Sequence, residues 1–69
     1  MTDSDSLKRE IQNSGLKMKY LAEQIGITLN TFSRKVNGKA EFNGSEIVKL
    51  SALLGFTAEQ RDSIFFNGG

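Results

Sequence analysis

The stretch from Met18 to Gly38, MKYLAEQIGITLNTFSRKVNG, restricts the possible folds of this chain more than any other. Leu21, Ala22 and Ile25 lie at i, i+1 and i+4, so they share one face of a short helix. Gly26 can take the positive φ that ends such a helix, and Ile27 fills the corner beneath it. Thr28 then opens a second helix as its N-cap. On that second helix Phe32 and Val36, four apart, are the large apolar residues of one face, while Asn30, Thr31, Ser33, Arg34 and Lys35 cover the others. A helix this polar is built to display a surface.

The flanking sequence supplies three more helices. Residues 1–5 read as disordered, and Ser4, Asp5 and Ser6 compete to cap a first helix over about Leu7 to Asn13, with Leu7 and Ile11 on one face. Leu16 bridges to the central stretch and is expected to be buried. After the polar loop that follows Gly38, Asn43-Gly44-Ser45-Glu46 forms a capping-box pattern, with Phe42 and Ile47 placed as a hydrophobic staple, so helix four starts at Gly44. Ile47, Val48, Leu50, Ser51 and Leu54 give it a broad inward stripe, and Gly55 ends it. Thr57 to Gln60 repeats the capping logic for a fifth helix that closes on Ile64-Phe65-Phe66, leaving 67–69 as a frayed tail. The expected core centre is Leu21, Ile25, Ile27, Phe32, Leu50 and Leu54.

A chain of 69 residues holds one domain, here 6–66, and the absence of Cys and Pro suits an all-α architecture stabilised by helix packing and by a partner subunit. There is no His and no Cys, which excludes catalytic triads, thiol catalysis and ordinary zinc sites. Glu23 beside Lys19, and Glu59 with Asp62, are better read as solvated helix surface than as acid/base pairs. Gly38, Gly44 and Gly55 lack the spacing of a nucleotide-binding loop. No enzyme activity, metal or cofactor is expected. No apolar run approaches the length of a bilayer span, and the acidic MTDSDS start is unlike a signal peptide, so the expected location is the cytoplasm. Net charge is only +1, yet five cations, Lys17, Lys19, Arg34, Lys35 and Lys39, crowd the segment between Leu16 and Ala40, while most acidic residues lie outside it. Such asymmetry is the footprint of a nucleic-acid face.

Leu21-Ala22, Ile25-Gly26-Ile27, Thr28, Phe32-Ser33-Arg34 and Asn37-Gly38 together resemble the lambda-repressor/Cro-like helix-turn-helix family, and within it the small phage regulators. The resemblance runs from about Leu7 to Phe66. It implies a compact five-helix DNA-binding domain with the helix-turn-helix at helices two and three. Two positions depart from the pattern. Lys17-Met18 replaces the usual Thr/Ser-Gln opening, which weakens the cap, and Lys35 stands where an apolar residue is common.

The resemblance also implies the site. Helix three would enter the major groove of an operator, with Leu29, Asn30, Thr31, Ser33 and Arg34 at the base edges. Lys17, Lys19, Thr28, Lys35, Asn37 and Lys39 would hold phosphates, together with the N-termini of helices two and four. The alternative is an antirepressor that binds another phage repressor protein through the same surface. No small-molecule effector is expected in so short a chain. Ile64, Phe65 and Phe66 are consecutive, so their side chains fan over roughly 200° and cannot all face one core. Phe65 and Phe66 are accordingly the expected homodimer contact. A monomer with Phe66 folded over Leu7 or Ile11 is the alternative.

Overall fold

The computed structural model describes residues 1–67, so the expected tail at Gly68 and Gly69 lies outside the described residues. Among these residues five helices follow one another: α1 (Ser4–Ser14), α2 (Met18–Ile25), α3 (Leu29–Val36), α4 (Gly44–Leu54) and α5 (Ala58–Phe65). Among the described residues none of them is long and apolar enough to cross a membrane. The all-α architecture expected from the patterning is the one observed.

Each helix sits where its terminal residues put it. α4 starts at Gly44 behind a complete capping box, in which the Asn43 side chain accepts from the Glu46 N–H at 2.8 Å and the Glu46 carboxylate accepts from the Asn43 N–H at 2.9 Å. Thr57 and Gln60 make the same reciprocal pair at the head of α5. α1 begins earlier than the apolar pattern suggests. Its cap is Asp3, whose carboxylate accepts from the Ser6 N–H and the Ser6 hydroxyl, so Ser4 and Asp5 are helical rather than disordered. The Asp3 N–H also donates to the Ile64 carbonyl at 2.6 Å, and Thr2 is buried. The N-terminal residues are thereby tied to the end of α5, a contact remote in sequence that local patterning could not reveal.

The core gathers Leu7 and Ile11 of α1, Leu21, Ala22 and Ile25 of α2, Phe32 and Val36 of α3, Ile47 and Leu50 of α4, and Ile64 and Phe65 of α5. Phe42, in the loop before α4, is buried as well and joins the core edge-on to Phe32, with ring centroids 6.0 Å apart, and to Phe65 at 5.5 Å. Three expectations need correction. Ile27 and Leu54 pack against the core but are only partly buried, and so is Leu16. Val48 is 63% exposed. It sits 100° off the stripe that Ile47, Leu50, Ser51 and Leu54 make at i, i+3, i+4 and i+7. α2 lies against both α3 and α4, and α1 touches α3, α4 and α5, so the α2–α3 pair is braced from behind.

Candidate nucleic-acid interface

The angle between α2 and α3 is set within a few residues. Gly26 has φ 86°, a left-handed conformation that favours glycine, and lets its own N–H and that of Ile27 both donate to the Ala22 carbonyl at 3.0 Å. The chain reverses and Thr28 caps α3, its hydroxyl oxygen accepting from the Thr31 N–H at 3.1 Å. Ala22, almost wholly buried, offers little bulk where the helices meet, and Phe32 and Val36 anchor the inner side of α3. Since those two positions fix the inward direction, Asn30 and Arg34 must point away, and both are exposed. Leu29, at the head of the helix, is 47% exposed; Thr31 and Ser33 flank the outer face and are half-buried.

The far end of α3 is closed with equal care. Asn37 donates its side-chain amide to the Ser33 carbonyl at 2.8 Å, and the Lys39 N–H reaches the Arg34 carbonyl at 2.9 Å. Gly38 between them has φ 78°, and a Cβ there would stand 3.1 Å from the Ser4 hydroxyl, so the turn is pressed against the start of α1. An eight-residue helix is thus held rigidly with a polar face turned outward.

A model of the Cro/C1-type helix-turn-helix DNA-binding domain matches residues 6–60. The chain belongs to that family. No curated protein matches the sequence. As a Cro/C1-type domain the chain is a DNA-binding helix-turn-helix regulator, with α2–α3 as its motif.

Within this Cro/C1-type frame, Lys17, Lys19, Thr28, Asn37 and Lys39 are exposed around the ends of α2 and α3. α2 starts on Lys17 with no side-chain cap and no acidic residue in its first turn, so neither its cap nor its first turn opposes its positive end. α4 differs, because Glu46 already brings a carboxylate to its N-terminus.

Lys35 also departs from expectation. Its Nζ sits 2.6 Å from Glu46 Oε1, and the two side chains are only 14% and 8% exposed. Of the five cations between Leu16 and Ala40, Lys35 is therefore matched by an internal carboxylate, and among the described residues Lys17, Lys19, Arg34 and Lys39 make no ion pair. Burial pushes the Glu46 carboxyl up, but the Lys35 hydrogen bond, the Asn43 N–H and the charges of Lys35 and Lys49 outweigh it and hold the group below its ordinary value. Sequence reasoning placed Glu46 in the capping box and missed this second partner eleven positions away. The only hint was a lysine at a position where the family favours an apolar residue.

Phe65 is corrected too. It is 3% exposed and packs among Phe42 and Phe56, whereas Phe66 is 59% exposed. Any contact with a second subunit at this end falls to Phe66.

Proposed function

We propose that this domain is a sequence-specific transcription regulator of the small phage Cro/repressor type, which reads the major groove with α3. The observation that carries the reading is the pairing of exposed Asn30 and Arg34 with buried Phe32 and Val36 on one short, doubly capped helix. Asn30 suits a bidentate contact to adenine, Arg34 to guanine, and Leu29 an apolar contact to a thymine methyl, with Thr31 and Ser33 at the margins. Lys17, Lys19, Lys39, Thr28 and Asn37 fix the register on phosphates, assisted by the uncapped start of α2. Phe66 joins two such domains about a twofold axis, so that two half-sites about 34 Å apart are read together on a pseudo-palindromic operator. Such a regulator works in the cytoplasm without an effector ligand.

The exposed Leu29 is the feature an antirepressor would use to grip another repressor, and one experiment separates the two readings. Selection from a random duplex library at near-physiological salt should return a defined, two-fold-related sequence for the parent. Asn30→Ala and Arg34→Ala should each lose roughly 1–3 kcal/mol and relax one base position per half-site. Sedimentation with the selected duplex should give two protein chains per site. Failure to enrich any sequence would remove the operator reading, and an unchanged preference in both variants would remove α3 as the reader.

A further inference from the structure

The Lys35–Glu46 pair lies at the junction between the recognition helix and the start of α4, and each partner could have been satisfied more simply. The capping box at α4 works equally well with a glutamine at its third position, since only a side-chain carbonyl oxygen is needed to accept from the Asn43 N–H. Lys35 occupies the flank of α3, between the buried face of Phe32 and Val36 and the outward face of Arg34, where an apolar residue would pack. The chain instead places a full cation on the recognition helix and a full anion opposite it, 2.6 Å apart and both largely withdrawn from water. As a device for stability alone this is inefficient, because desolvating both charges offsets most of their attraction.

We propose that Glu46 masks Lys35, withholding one cation of the recognition helix from the DNA backbone and so lowering the affinity of the domain for arbitrary duplex. The proposal rests on the reading that α3 faces DNA. Non-specific binding is dominated by phosphate neutralisation and counterion release, so each cation that joins steepens the salt dependence by about 0.9 in log K against log salt. A lysine already neutralised within the protein joins nothing. Without the carboxylate's charge its largely buried ammonium is uncompensated, and its long stem lets it extend to the surface beside Arg34. Glu46 acts here through Lys35 and touches no DNA itself.

Fluorescence anisotropy with a random-sequence duplex over a range of salt concentrations tests this on four proteins: the parent, Glu46→Gln, Lys35→Met and the double variant, each checked by thermal melt. Glu46→Gln keeps the capping oxygen and should steepen the slope by about 0.9, tightening random-duplex binding about fivefold to tenfold at 0.1 M salt. Lys35→Met should leave the parent slope unchanged, and the double variant should return to it. A positioning role for the pair would weaken binding in Glu46→Gln without steepening the slope, and that result overturns the proposal. So does a Lys35→Met slope flattened by about 0.9, which would show Lys35 already on phosphate. Should Glu46→Gln fail to fold, the Lys35→Met slope decides alone. A parent that binds no duplex at any salt concentration removes the DNA reading itself and the mask with it, a failure distinct from that of the slopes.

Discussion

The N-termini of α2 and α4 solve the same problem in opposite ways. Every helix begins with amides that lack internal partners and with a partial positive charge. At α4 the chain answers from within: Asn43 and Glu46 close the capping box, and Lys35 balances the carboxylate. At α2 it supplies neither cap nor acid, and sets exposed Lys17 and Lys19 beside the opening turn. The first end is finished for the fold. The second is left positive, at some cost to local stability, and that is the condition a phosphate would relieve.

The most drastic way to break this contrast is to remove the packing that supports both ends. Phe32 is fully buried and meets Phe42 edge-on just before α4, while Ala22 and Leu21 of α2 belong to the same cluster. Phe32→Ala should cost about 3–5 kcal/mol. A domain of this size has a total stability on the order of 5 kcal/mol, so the variant should be largely unfolded at room temperature. A cooperative thermal melt near that of the parent would contradict the packing described.

Altering the caps one at a time sharpens the contrast with a smaller effect of opposite sign at each end. Asn43→Ala should lower stability by about 1–2 kcal/mol, since it removes the acceptor for the Glu46 N–H. Lys17→Ser should raise stability by about 0.5–1 kcal/mol, because Lys17 already has the extended φ −79°, ψ 144° of an N-cap and contributes no side-chain bond. The same Lys17→Ser change should weaken duplex binding, having removed a cation. Urea titrations give both stability differences, and a destabilised Lys17→Ser would mean that α2 is not an open end.

What was legible beforehand follows the range of the interactions. The last four helices, the Gly26 turn, both capping boxes and the outward face of α3 depend on residues within four positions of one another, and the sequence displays such spacings directly, although the equally local Asp3 cap that starts α1 early was hidden among the competing polar residues around it. The weak start of α2 was visible in Lys17-Met18 for the same reason. Three features were not. The tie from Asp3 to Ile64 spans nearly the whole chain, the Lys35–Glu46 bond joins two helices across a loop, and the choice of Phe65 over Phe66 for the core depends on where Phe42 and Phe56 lie. Periodicity showed that one of the two aromatics had to remain outside. Only packing selects which.

The smallest effect is also the most specific, because acid should act on one helix end and spare the other. The Glu46 carboxyl is held below its ordinary value of 4.5 despite its burial, so between the unfolded and folded values the unfolded chain binds more protons than the native one. Stability therefore rises with pH in that window: the contribution is complete above the ordinary carboxyl range and is lost as pH falls through the lowered folded value. The Ser6 hydrogen bonds lower Asp3 in the same direction, but that group remains in every variant, so it cancels from comparisons. Glu46→Gln should accordingly be less stable than the parent at pH 7, with the gap closing progressively below about pH 4.5. The gap between the parent and Lys17→Ser should hold its size over the same range, since α2 has no acidic residue in its first turn to titrate. Urea midpoints measured from pH 7 to pH 3 decide it: a Glu46→Gln gap that stays constant would show that the carboxylate's charge contributes nothing to the closed end, and the contrast between the two helices would then be one of shape alone.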